Sequence, residues 1–342
     1  MEFPFENLIF EGGGVKGIAY VGAFQEMQDR NILENIKRVG GTSAGAINAV
    51  LLSLGYTLQE TQDILMELDF NNFMDDSWGI IRDAKRLFEE FGLYKGDFFK
   101  QWIGDRIREK TNNENSTFNE LKNNQFLDLY LIGANLSTGF SEVFSYEHTP
   151  RMRVVDAVRI SMSIPLFFAA IRNMRSDVYV DGGLFNNYPV KLFDREKYID
   201  EDKRTKHSRS TAYYNERENR TRPQSSSPYV YNRETLGFRL DSREEIAVFR
   251  DIAEARHRSI DNLHDYFSAL LKSLLNVQEN QHLHSDDWQR TVYINTKGVG
   301  AVDFDLPDET KTALVTSGRE ATYNYLEWCL KDKPKNHPDN DE

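Results

Sequence analysis

IFEGGGVKGIAYVGAF, residues 9–24, sets three consecutive glycines between a short apolar run and an amphipathic one. Leu8-Ile9-Phe10 reads as a buried strand. Residues 15–30 read as a helix whose apolar face carries Val15, Ile18, Ala19, Gly22 and Ala23. A glycine-rich turn from strand to helix has two chemical uses. Gly12, Gly14 and Gly17 fit the G-x-G-x-x-G pattern of dinucleotide binding. Unhindered backbone N–H groups at the same place can also stabilise an oxyanion formed in acyl transfer.

The next strand weighs between them. A dinucleotide site needs an acidic residue about 20 positions on, at the tip of the second strand, to hold the ribose. The second strand, Ile36 to Val39, runs instead into GGTSAGAINAVLLSLG, residues 40–55, and Glu34 precedes that strand rather than ending it. Gly41-Thr42-Ser43-Ala44-Gly45 is a G-x-S-x-G sequence, and Ala44 to Leu54 reads as a buried helix closed by Gly55. A nucleophile elbow needs this context. The turn must be tight, its neighbours small, and the serine at a helix N-terminus, where the dipole favours developing negative charge. The bland alternative is a glycine-rich turn with an incidental serine. The sequence has no G-x-x-x-x-G-K-[ST] phosphate loop.

A nucleophilic serine needs a base. VYVDGGLFNN, residues 178–187, offers Asp181 directly after a short strand and before two glycines, where a carboxylate can bond a serine hydroxyl. A triad in the order Ser, acid, His would need a downstream histidine. His207 lies in a polar segment, and His257, His264, His282 and His284 lie in polar helical stretches without a catalytic-looking loop. The sequence therefore favours a Ser43–Asp181 dyad.

The rest of the chain alternates strands with helices. Strands are expected at 127–134, 142–146, 178–180, 235–240 and 291–295. Helices are expected at 58–69, 78–111, 153–161, 243–280 and 307–330. This alternation indicates an α/β sheet covered on both sides. The aromatic stretch 75–107, with Trp78, Phe88, Phe91, Tyr94, Phe98, Phe99 and Trp102, reads as core that in part lines an acyl-chain channel. Residues 195–232 are polar and nearly free of aliphatics, a composition that cannot bury a core. They read as a disordered insertion, and 331–342 as a disordered tail. Within 203–222, seven Lys/Arg face two Glu, a local +5 that leaves −17 on the remainder of a chain of net charge −12. Tyr213 and Tyr214 accompany these cations as interfacial aromatics.

Bulk composition excludes several classes. No apolar run approaches the roughly 18 residues that span a bilayer. The acidic N-terminus lacks the basic region of a secretory signal. A single cysteine, Cys329, precludes an internal disulfide and cysteine-cluster zinc sites, and fits a reducing cytoplasm. The negative net charge gives no global attraction for nucleic acid or an anionic membrane.

Three motifs in this order resemble the patatin-like phospholipase family: Gly12-Gly13-Gly14-Val15-Lys16-Gly17, Gly41-Thr42-Ser43-Ala44-Gly45 and Asp181-Gly182-Gly183. SMSIPLFF, residues 161–168, is similar to the family's small-residue stretch ending in proline. The likeness spans residues 5–195 clearly and 235–330 more loosely. It implies a three-layer α/β/α fold with a mostly parallel central sheet, as a single catalytic domain over residues 1–330. It also implies Ser43 as nucleophile, Asp181 as general base, and the backbone of Gly12, Gly13, Gly14 and Val15 as oxyanion hole. Lys16, Gly41, Gly45, Gly182 and Gly183 would support them. Lys16 stands where many members carry arginine, which keeps the charge but loses the bidentate fork. The implied activity is phospholipase A-type cleavage of glycerophospholipid acyl esters through an acyl-enzyme. The implication includes no metal or organic cofactor, a lipid ester substrate, peripheral membrane contact from the cytoplasm, and no nucleic-acid partner. A lipase inside its own cell is a hazard, so an activating ligand, partner or membrane is expected, although no residue identifies it. Two other readings stay open: an NAD(P)-binding oxidoreductase using Gly12, Gly14 and Gly17, and a catalytically idle lipid-binding module.

Overall fold

The computed structural model describes residues 3–74, 87, 89–204, 219, 221–241 and 286–331, with positions 260, 261, 266, 269, 270 and 273. The strands are β1 (Asn7–Phe10), β2 (Arg38–Gly41), β3 (Gly92–Tyr94), β4 (Asp128–Asn135), β5 (Phe140–Ser145), β6 (Leu166–Phe168), β7 (Ile171–Arg172), β8 (Val178–Asp181), β9 (Thr235–Asp241) and β10 (Thr291–Asn295). The helices are α1 (Tyr20–Asp29), α2 (Ala44–Ser53), α3 (Leu58–Met66), α4 (Asp97–Thr111), α5 (Phe118–Asn123), α6 (Val154–Ser161), α7 (Gly183–Asn186) and α8 (Asp308–Leu330). The main sheet has the order β10-β9-β1-β2-β4-β8-β7, with β5 also paired to β4. From β10 to β4 every pairing is parallel, while β5, β7 and β8 add antiparallel ones.

Side chains alternate between the two faces of a strand, and the core divides accordingly. Leu8 and Phe10 of β1 join one large apolar cluster with residues of α1, α2, α6 and α8. Ile9, between them, belongs to a second cluster with Tyr130, Tyr188, Val190, Phe193 and Tyr198. Both faces of the sheet are therefore covered. Helices cover one, and the short 3-10 turns Val190–Phe193 and Glu196–Tyr198 lie over the other. A buried ion cluster secures this second layer. Arg290 meets Asp194 at 2.6 and 2.7 Å and Asp287 at 2.7 Å.

The edges of β4 position the functional region. β5 pairs with residues 130–135 and takes one edge. β2 pairs with 128–131 and β8 with 133–135, so these two strands share the other edge. β2 runs parallel to β4 and β8 runs against it. Their C-terminal ends therefore meet head to head beside Ile132. Gly182 permits the approach, since a Cβ there would lie 2.4 Å from the Ile132 carbonyl oxygen.

Several local expectations change. The single helix expected over 78–111 is interrupted by β3, with Gly96 at φ 71° before α4 begins at Asp97. Gly92 packs β3 so tightly onto β6 that a Cβ would lie 2.2 Å from the Phe168 backbone. Of the aromatic stretch, Phe99 is core, Phe91 and Phe98 are exposed, and Trp78 and Phe88 lie outside the described residues. The polar segment 195–232 departs from the expectation that it buries nothing. Its described ends bury Tyr198, Ile199, Val230 and Tyr231. The Arg195 guanidinium stacks 3.3 Å from the centre of the Tyr229 ring. Tyrosines clustered at the two ends supply the anchors that the average composition diluted. Residues 205–218, the 243–280 helices apart from the positions given above, and the tail 332–342 lie outside the described residues.

Candidate active site

Ser43 sits between β2 and α2 as the N-cap of the helix, with φ 55° and ψ −124°. This left-handed backbone is uncommon outside glycine and marks a strained turn. Small residues make the turn possible. A Cβ on Gly41 would lie 2.3 Å from the Gly45 carbonyl oxygen, and one on Gly45 would lie 2.3 Å from that of Phe10. The Ser43 N–H donates to Ser161 Oγ at 3.0 Å, and its hydroxyl lies 3.6 Å from Met162 Sδ.

Asp181 ends β8 and faces Ser43 across the junction described above. The Gly183 N–H donates to its Oδ1 at 2.8 Å, and the Ser43 hydroxyl, which lies against Met162 Sδ, is near enough to favour its ionised form. Both neighbours favour the carboxylate. Burial opposes them and dominates, pushing the Asp181 pKa up to about 7. A carboxyl tuned to neutrality beside a serine hydroxyl can exchange protons with it at physiological pH. His148 is the histidine among the described residues, and its Nδ1 meets Ser145 Oγ at 2.7 Å. The downstream candidates His207, His257, His264, His282 and His284 lie outside the described residues.

The glycine loop after β1 abuts this pair. A Cβ on Gly12 would come within 3.1 Å of Ser43 Cβ. The four expected oxyanion donors are not equivalent. The Gly12 N–H is spent on the Asn187 carbonyl at 3.1 Å, and the Val15 N–H on the Ala301 carbonyl at 3.1 Å. The Gly13 and Gly14 N–H groups have no acceptor among the described residues. Gly14 takes φ 57° under Ala301, whose carbonyl oxygen would lie 1.8 Å from a Cβ there. Lys16 turns back, and its Nζ donates to the Leu240 carbonyl at 3.1 Å, tying the loop to β9. The acidic ribose partner of a dinucleotide site has no counterpart at the tip of β2, where Thr42 and Ser43 follow.

Sequence reasoning overlooked four neighbours of this site. Ser161 and Met162 touch Ser43 and lie in the SMSIPLFF stretch that was singled out without a role for either. Glu11 accepts the Leu240 N–H at 2.7 Å. Asn187 pairs with Gly12 through backbone and side chain, and its sequence signal was only its position six residues after Asp181.

Residues 8–194 match the model of the patatin-like phospholipase family. An uncharacterized protein of Bacillus subtilis, YqhO, is 29% identical over 332 residues, covering 93% of this chain and 97% of that one. The cGAMP-activated phospholipase of Pseudomonas aeruginosa is 27% identical over 196 residues, covering 54% of each. Among solved structures, VipD from Legionella pneumophila aligns with a TM-score of 0.56 at 17% identity, covering 94% of this chain and 67% of that one, a likeness of fold.

Proposed function

This chain belongs to the patatin-like phospholipase family and is a hydrolase of lipid acyl esters, and from that premise we propose that it cleaves glycerophospholipids through a Ser43–Asp181 dyad. The observation that carries the reading is the buried Asp181 carboxyl, its pKa pushed up to about 7, beside a serine on a strained strand–helix turn. Asp181 accepts the Ser43 proton as Oγ bonds to the ester carbonyl carbon. The Gly13 and Gly14 amides stabilise the oxyanion. Its collapse breaks the acyl C–O bond, and Asp181 returns the proton to the leaving alkoxide. Water then gives a proton to Asp181 and attacks the acyl-enzyme. Fatty acid leaves as the proton returns to Ser43 Oγ.

Two further features belong to this proposal. Leu136 and Met174 are exposed on the turns after β4 and β7, and Phe140 is exposed at the start of β5. These turns lie three or more residues beyond the level of Asp181 along β4, about 10 Å past the site. Such side chains suit peripheral contact with the lipid surface that holds the substrate. Restraint by a ligand is supported by the description of one relative as cGAMP-activated.

The test is fatty-acid release from phosphatidylcholine vesicles. Ser43→Ala should abolish release with folding intact. Asp181→Asn, which keeps the shape but loses the base, should lower turnover by roughly 10²–10⁴. Wild-type turnover in the Asp181→Asn variant would rule out the dyad.

A further inference from the structure

The segment from Asp181 to Asn187 touches every part of the candidate site. Asp181 itself faces Ser43. The Asn186 carbonyl accepts the Thr42 hydroxyl at 3.0 Å, gripping the elbow one residue before the serine. Asn187 grips the glycine loop twice. Its carbonyl accepts the Gly12 N–H at 3.1 Å, and its Nδ2 donates to the Gly12 carbonyl at 3.1 Å. The same Nδ2 lies 3.4 Å from Glu11 Oε1. Asn187 is 4% exposed, so water does not substitute freely for these bonds. Gly12 admits the contact, because a Cβ there would lie 2.4 Å from Asn187 Oδ1.

The consequence lies one peptide further on. The Gly12 carbonyl and the Gly13 N–H belong to the same planar unit. A donor fixed on that oxygen fixes the plane, and with it the direction in which the Gly13 N–H points. We infer that Asn187 is a positioning residue, which sets the Gly13 amide toward the oxyanion by holding the Gly12–Gly13 peptide plane. This inference rests on the reading of Ser43 as nucleophile. An asparagine fits the task because its amide is a neutral donor. A carboxylate at the same place could not donate to the Gly12 carbonyl, and it would face Glu11, behind which lie Arg239 at 3.7 Å and Asp241, 2.8 Å from Arg239.

Steady-state kinetics and fluorophosphonate labelling of Asn187→Ala and Asn187→Asp, beside Ser43→Ala, test the inference. Asn187→Ala should lower kcat by roughly 10–10²-fold, the scale of a misaligned donor, with KM within about threefold. Labelling should slow in parallel, since the phosphonyl oxygen uses the same amides. In Asn187→Asp, the activity relative to wild type should rise as pH falls, because a neutral carboxyl regains the donor. Should Asn187→Ala not fold, this pH-dependent ratio decides alone. Wild-type kcat and labelling in Asn187→Ala, or an Asn187→Asp ratio that is flat with pH, would overturn the positioning role. Full activity in Ser43→Ala would instead remove the reading of the site beneath it.

Discussion

At the scale of single residues, the decisive quantity is the proton affinity of Asp181. Burial raises it against the favourable influence of the Gly183 N–H and the Ser43 hydroxyl, so the group is neutral at acidic pH and ionised above about 7. In the proposed role of base it must be ionised. We expect kcat/KM on a soluble uncharged ester to rise with pH through an apparent midpoint near 7, and a flat profile from pH 5 to 9 would count against the assignment. The same shift carries a stability sign. The unfolded carboxyl titrates near 3.9, so between about pH 4 and 7 the folded chain binds the proton more tightly. The stability from that group is whole below pH 4 and is lost as pH rises through 7, a deficit on the order of 4 kcal/mol. Asp181→Asn removes the buried charge. Its Tm should exceed that of the wild type at pH 8 and approach it at pH 5, which thermal melts at the two pH values can check. Loss of activity with gain of stability is the trade expected where a site holds a group that folding alone disfavours.

At the scale of elements, much of this was legible because local patterns were strong. β1, β2, α2 and α8 follow from apolar runs with glycine punctuation, and the parallel pairing of β1 with β2 brings two glycine turns to one sheet edge. The convergence of Ser43 and Asp181 was expected from strand ends on a common edge. The actual device differs, because β8 runs antiparallel and meets β2 end to end along β4. Strand direction is set by long-range pairing, which short sequences such as Val178–Asp181 do not encode. β3, β6 and β7 are two or three residues long and leave no periodic signal. The glycine loop shows a similar limit. Its composition announced free amides, but not that Asn187 and Ala301, distant in sequence, consume those of Gly12 and Val15. The second layer was missed for the opposite reason. Tyr198 and Ile199 sit in a polar neighbourhood, and averaging concealed two good anchors.

At the scale of the molecule, charge is the feature to test. The chain carries −12 overall, yet seven cations fall within 203–222. Three of them are engaged at the described margins. Lys203 meets Glu6 at 2.6 Å, Arg204 meets the Ile199 carbonyl at 3.1 Å, and Arg222 meets the Ser226 carbonyl. Lys206, Arg209, Arg217 and Arg220 lie outside the described residues, and we propose them for contact with anionic lipid. Each cation near such a surface is worth about 1 kcal/mol, and salt screens it over about 8–10 Å. Changing these four to glutamine should weaken hydrolysis of anionic vesicles at low salt and leave a soluble short-chain ester unaffected. Equal vesicle activity in paired assays would leave the segment without a docking role. None of this touches the central claim, that one serine of the whole chain carries the chemistry. Peptide mapping of the fluorophosphonate adduct by mass spectrometry tests that claim most directly. The account predicts a single adduct on Ser43 in the wild-type protein and none in Ser43→Ala, and an adduct on another serine with hydrolysis surviving in Ser43→Ala would contradict it.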